Sequence, residues 1–440
     1  MTEIIFSFDT EDFTSNTAAN SILEEANILR ENGIKGNFVI VGLLAWQLKN
    51  WNRRDIVEAL SHHEIGLHSY GHTLHPTINE YTDIDNFDEA YREVIRQESE
   101  AVRLIKETFG KDVKLYAACP PGNQKNYVAM YAYSDMGIPI YADTLCDTDN
   151  GDGVYYCNAY QMKYTFMIEN LMLHGDEKAM KEALDTLAQK KRAVVFTHPN
   201  NVLFDEAWDE QFYKTNLTEF GKWKEMHRRP IEDSLRFYDN FRKFVKMING
   251  DPRFTVTTYS EVAKRLEKEP KRIVKLSHVP LIKAEIEKEL YPTHSPLNLS
   301  LSDIFLTCRT LILGESSHEC KKVKGLLYPP YAVTEPTTLS KEELTRAAAE
   351  IDPTGFIPEK INIGNKVIGP ADFLRAALTV LSGEDDATVV PAPAMPSFRA
   401  FPRLETISFK GSWMQSDDFE DKYVSERLRL QSWTMRFPEV

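Results

Sequence analysis

The chain has 440 residues, with 66 acidic against 52 basic side chains, and its formal charge of −14 disfavours nucleic acid and anionic membrane as partners. A hydrophobic content of 42% and a charged content of 27% describe a globular protein with enough core for two or three domains. No apolar run reaches the roughly 18 residues of a membrane span. The five cysteines show no CxxC pairing and read as reduced thiols, and Met1-Thr2-Glu3 leads straight into a strand pattern, so the expected location is the cytoplasm.

Residues 1–268 alternate between strand and helix patterns. Strands are predicted over Ile4–Phe8, Asn37–Val41, Ile65–Leu67, Leu115–Ala118, Pro139–Ala142, Ala193–Thr197 and Phe254–Thr257. Helices are predicted over Asn20–Arg30, with Gly33 as a stop signal, over Asp55–Leu60, and over the long amphipathic stretch Asp88–Phe109. Strands apolar on both faces and alternating with helices imply a parallel sheet covered on both sides. The predicted fold class is α/β, an irregular (β/α) barrel with parallel strands, plus a smaller, mainly helical C-terminal region. In such barrels chemistry gathers at the carboxyl ends of the strands. Residues 200–229 carry Phe204, Trp208, Phe212, Tyr213 and Trp223, and read either as a lid or as surface packing. Past Pro270 the pattern breaks into a linker and helical segment (269–330) and a small C-terminal module (331–440). Ser302-Asp303-Ile304-Phe305-Leu306 echoes Ala371-Asp372-Phe373-Leu374, each opening an apolar helical run.

The most informative residues follow strand patterns directly. Asp9, Glu11 and Asp12 follow the first strand, and His68 and His72 follow the third. Two imidazoles four apart and one distant carboxylate make a divalent-metal site with positions left open for water and substrate; imidazole favours Zn²⁺ and its neighbours. In extended chain Asp9 and Glu11 project to one side while Asp12 points away. His62 and His63 fall at a helix end, where imidazolium favours the dipole.

The order of this acidic cluster, His68-Ser69-Tyr70-Gly71-His72, Cys119-Pro120-Pro121-Gly122-Asn123 and Phe196-Thr197-His198-Pro199 resembles carbohydrate esterase family four, the NodB-homology polysaccharide deacetylases, over residues 1–268. The resemblance implies Asp9 as general base, Glu11 as metal ligand with Asp12 as competitor, and His68 and His72 as the other ligands. It implies a groove wall at Pro121 and Gly122, the Gly122 N–H being a candidate oxyanion donor. His198 is the expected general acid, since imidazole is poised for proton delivery near neutral pH. Trp208 of the lid segment is the expected further substrate contact. The chain departs from the family at Cys119, where an arginine usually positions the base. It departs again at the fourth motif, where Asp143 and Asp147 occur without a tryptophan. The segment Ile357-Pro358-Glu359-Lys360-Ile361-Asn362-Ile363-Gly364-Asn365-Lys366 through Phe373-Leu374, within residues 355–382, resembles a pseudomurein-binding repeat, which implies a carbohydrate-binding module.

The expected activity is metal-dependent removal of N-acetyl groups from an amino sugar or oligosaccharide, a carbohydrate or other N-acylated small molecule being the partner. Two alternatives stand beside it: hydrolysis of a cyclic amide or ureide on the same fold, and a catalytically silent carbohydrate-binding protein.

Overall fold

The computed structural model describes residues 1–148, 151–212 and 219–439; Tyr213 of the expected lid lies outside them. The chain divides into two compact units, one of residues 1–153, 161–265 and 408–424, the other of 154–160, 266–407 and 425–440.

The first unit is the predicted α/β barrel. Its strands are β1 (Thr2–Thr10), β2 (Asn37–Ile40), β3 (Glu64–Leu67), β4 (Ala117–Ala118), β5 (Ile140–Asp143), β7 (Ala159–Met167), β8 (Arg192–Thr197) and β9 (Phe254–Val256); β6 (Val154–Tyr156) belongs to the second unit. Seven of them close on themselves in the order β1-β2-β3-β4-β5-β7-β8-β1. Closure turns on the nine-residue β1, which pairs in parallel with β8 along Glu3–Phe8, with β9 at its start and with β2 at its end. Its side chains alternate. Phe6 and Phe8 face outward against Phe241, and Phe8 stacks on Phe38 with ring centroids 4.3 Å apart. Ser7 and Asp9 point the other way, to Tyr164 inside the barrel. Each of these buried phenylalanines contributes about 1.5–3 kcal/mol relative to an exposed position.

The helices around the barrel are α1 (Ala19–Glu31), α2 (Gly42–Asn50), α3 (Arg54–Leu60), α4 (Ile78–Thr82), α5 (Phe87–Phe109), α6 (Tyr127–Asp135), α7 (Glu169–His174), α8 (Glu177–Leu187), α9 (Asn200–Leu203), α10 (Ile231–Gly250) and α11 (Tyr259–Leu266). The longest, α5, starts where the Asn86 side chain accepts the Glu89 N–H and ends at Gly110, whose φ of 109° stops it. Gly42 opens α2 because a Cβ there would lie 2.8 Å from the Ala101 Cα of α5. His63 is not an imidazolium at a helix end, as its position in the sequence suggested. It is buried, accepts the Gly36 N–H at Nδ1 and donates from Nε2 to the Ala26 carbonyl, and burial pushes its pKa down to about 4.

The second unit holds β10 (Ile273–Lys275), α12 (Val279–Lys288), α13 (Leu301–Ile312), β11 (Ser317–Glu319), β12 (Thr337–Ser340), α14 (Lys341–Glu350), β13 (Ile361–Ile363), β14 (Lys366–Ile368), α15 (Pro370–Leu381) and β15 (Asp386–Val389). The echo seen in the sequence has a structural counterpart. Asp303 and Asp372 each stand in the first turn of a helix, and at the same interval each is followed by a strand that pairs antiparallel with an earlier one, β11 with β10 and β15 with β12. Phe305 and Phe373 meet at 5.2 Å in one core shared by these elements. Among the described residues no helix is long and apolar enough to cross a membrane.

Candidate metal and acid–base site

The carboxyl ends of β1 and β3 bring Glu11, His68 and His72 together, all buried, with one ligand atom from each within 4.8 Å of the others. Both histidines come from the loop after β3, where Ser69 (φ 65°) and His72 (φ 51°) adopt left-handed backbone at a cost of about 1–3 kcal/mol each. That loop is tied down by its neighbours. The Ser69 and Tyr70 carbonyls accept the Gly42 and Leu43 N–H groups that open α2, the Tyr70 N–H donates to Glu98, and the His72 N–H donates to Ser69 Oγ.

The donor set suits a cation. His68 Nδ1 lies 3.0 Å from the Cys119 carbonyl, which can only accept, so Nδ1 is the donor and Nε2 points into the group. His68 Nε2 faces Glu11 Oε2 at 3.3 Å, and His72 Nε2 faces the same oxygen at 3.0 Å. A carboxylate oxygen between two imidazole nitrogens calls for a positive charge, from a metal ion or from protons. Without an ion, burial pushes the His72 pKa down, but Glu11 and Asp209 outweigh it and raise the pKa to about 9. Outer contacts orient each ligand: Asp209 Oδ2 lies 3.4 Å from His72 Nδ1, and the Trp208 indole N–H donates to Glu11 Oε1 at 2.8 Å.

Asp12, the competing carboxylate, turns aside. Its Oδ1 accepts the Thr14 N–H and hydroxyl and the Ser15 N–H, closing the turn into α1, and burial raises its pKa to about 6 against those bonds.

Asp9 sits on the inner face of β1, and the Tyr164 hydroxyl donates to its Oδ1 at 2.7 Å. Since that hydroxyl has one proton, the Cys119 thiol (2.7 Å) and the Ser7 hydroxyl (3.1 Å) must donate to Tyr164 Oη in turn, and Tyr259 donates to Ser7. Burial, with Asp9 adding to it, pushes the Cys119 thiol well above the usual range, so it is an inert neutral group.

His198 ends β8 with Nε2 3.6 Å from Asp9 Oδ2, while its Nδ1 lies 2.5 Å from Glu169 Oε1, an oxygen that also accepts the His198 N–H. Burial would lower the His198 pKa, but Glu169 outweighs it and holds the imidazole well above its ordinary value. The carboxylate partner of His198 is Glu169. Asp143 accepts the Leu145 N–H, and Asp147 pairs with Lys163. Glu169 opens α7 directly after β7, and its one sequence signal is that strand-end position.

Trp208, expected at the substrate, is 1% exposed and packs between Phe13 and His72, beside the Glu11–His68–His72 group. Phe212 and Trp223 join it on Phe13. Pro121 and Gly122 form a tight turn after β4. Gly122 (φ 50°) is covered by Met414 and Trp413 of the 408–424 segment, Met414 Sδ lying where a Cβ would fall.

No family model matches this sequence, and no curated protein matches it. Solved structures do. A family 4 carbohydrate esterase from Streptomyces lividans in complex with acetate is 14% identical, with a TM-score of 0.31 over 56% of this chain and 90% of that one. A CE4 esterase from Streptococcus mutans is 14% identical, with a TM-score of 0.34 over 58% and 85%. A 4-alpha-glucanotransferase from Thermococcus litoralis is 12% identical, with a TM-score of 0.40, but only 40% of its length is covered. At such values the likenesses decide nothing about chemistry, which rests on the side chains of this chain.

Proposed function

We propose that the chain is a metal-dependent hydrolase that removes N-acetyl groups from an amino sugar or oligosaccharide, residues 1–268 being its catalytic region. The observation that carries this reading is the pairing of Asp9 with His198 beside the Glu11–His68–His72 group. Amide hydrolysis needs a base for the attacking water and an acid for a poor amine leaving group, and these two residues stand side by side.

Glu11, His68 and His72 would hold one divalent ion, zinc suiting two imidazoles and a carboxylate; bound there, it would supply Lewis-acid polarisation and a water of lowered pKa. Asp9, held by Tyr164, takes the proton of the attacking water. His198, kept protonated by Glu169, gives its Nε2 proton to the departing nitrogen. Acetate and a free amine leave.

The test is the metal content of the purified protein together with acetate release from N-acetylglucosamine oligomers, before and after chelation. Bound metal with chelator-sensitive release supports the reading. Stoichiometric metal with no release would sink the acetamide substrate and turn the search to cyclic amides and ureides. Absence of metal after growth with added zinc would remove the ligand assignment itself.

A further inference from the structure

The Glu11 carboxylate divides its two oxygens between different partners. Oε2 faces both imidazoles, His72 Nε2 at 3.0 Å and His68 Nε2 at 3.3 Å. Oε1 accepts the Trp208 indole N–H at 2.8 Å. An indole has one N–H and no acceptor, so Trp208 can serve this oxygen only as a donor. The ring has little freedom to leave it. Trp208 is 1% exposed, and its ring centroid lies 5.0 Å from that of Phe13, 5.2 Å from that of His72 and 6.1 Å from that of Phe212. Glu11 is buried as well, and a hydrogen bond to a buried carboxylate is among the stronger ones a protein makes.

We infer that Trp208 is a positioning residue that holds Glu11 to metal ligation through Oε2 alone; the inference rests on the proposed metal-binding role of Glu11, His68 and His72. A carboxylate binds a cation through one oxygen or through both, and the choice changes how many coordination positions remain. With Oε1 engaged by the indole, the chain supplies Oε2 and two imidazole nitrogens, and positions stay open for a water and a carbonyl oxygen. With Oε1 released, the same carboxylate can take one of those positions for itself. The N–H dipole also offsets part of the charge on Oε1, which makes that oxygen the poorer donor to a cation. Trp208 thereby acts on the chemistry through Glu11, from a segment far along the chain.

Loading the intact chain with cobalt(II) tests this, because the visible bands of that ion weaken as its coordination number rises. The native chain is compared with Trp208→Phe, which keeps an aromatic ring and loses the N–H, each at saturating cobalt. The expected result is equal cobalt content, with bands at least about twofold weaker in the variant. Acetate release by the variant should fall about 10- to 100-fold in kcat. If Trp208→Phe does not fold, β-(3-benzothienyl)alanine at position 208 makes the same comparison, since sulfur there replaces the N–H in a ring of the same shape. Asp209→Asn, which alters an outer contact of His72 and leaves Oε1 alone, should keep the native bands at saturating cobalt. Equal weakening in Asp209→Asn would reduce the effect to general loosening and overturn the assignment. Loss of cobalt from a folded Trp208 variant would overturn it too, leaving a structural prop. Unchanged bands in the Trp208 variant would overturn it while the hydrolase reading stands. Bands that weaken as expected in a chain that releases no acetate would support the role of Trp208 and sink the acetamide substrate instead. A native chain that takes up no cobalt would overturn both.

Discussion

The Tyr164 hydroxyl donates to Asp9 Oδ1 at 2.7 Å inside the barrel, where the resemblance leads one to expect an arginine from the Cys119 position. A neutral hydroxyl fixes the carboxylate's direction without adding charge, and the Cys119 thiol donates to that hydroxyl. Tyr164→Phe removes the bond and keeps the ring. It is expected to lower kcat about 10- to 100-fold by loosening the base, with metal content unchanged. Steady-state kinetics beside elemental analysis check this, and an unaltered kcat would leave Tyr164 as packing alone.

On the proposed reading, in which His198 is the proton donor, Glu169 sets the range over which it can act. The imidazolium form is present below its raised pKa and is lost as pH rises through it, so the acid-dependent limb of activity lies on the alkaline side. Glu169→Gln removes the largest raising influence and should move that limb to lower pH, with a fall in kcat of about 10- to 100-fold. A pH profile of kcat for the variant and the native chain reads both effects. An unmoved alkaline limb would argue against His198 as the proton donor.

The proposed metal-binding role of Glu11, His68 and His72 predicts a graded series. His68→Ala and Glu11→Ala should abolish metal retention, whereas Asp209→Asn, which touches His72 only on its outer nitrogen, should weaken metal affinity about 10- to 100-fold. Because an ion that binds only the folded chain stabilises it by mass action, chelation should lower the thermal midpoint of the native protein and leave that of His68→Ala unchanged.

Glu25, on the inner face of α1, is fully buried, and neither carboxyl oxygen has a hydrogen-bond partner among the described residues. Burial, with Glu169 adding to it, holds its pKa well above the carboxylate range, so it is neutral in the fold. The sign follows: a raised folded pKa gives stability that is complete below the unfolded value of 4.5 and lost as pH rises through the folded value. Glu25→Met fills a similar volume without a charge to bury. It should raise stability at pH 7 by about 1–4 kcal/mol and flatten the decline from pH 5 to 8 in denaturant titrations.

The chain by itself determined the features that local pattern can encode. Apolar runs ending at Phe8, Leu67 and Phe196 mark strands, and the residues directly after them, Asp9, His68 and Thr197-His198, are read by position alone because strand ends of a parallel barrel share one face. Alternation along β1 likewise separates Asp9 from its neighbour Phe8. Only the tertiary structure decided which groups meet. The strand β7 (AYQMKYTFM) alternates Tyr160, Met162 and Tyr164 with Gln161, Lys163 and Thr165, a period-two pattern that marks a strand but does not tell which group Tyr164 meets; its hydroxyl reaches Asp9 through closure of the barrel. Glu169 and Asp209 are ordinary acids in sequence, and they become partners of His198 and His72 because separate segments converge on the same ring edge. The contacts of Asp143, Asp147 and Trp208 were out of reach for the same reason: side-chain partnership is set by register and packing between distant segments, and spacing along one segment does not carry it.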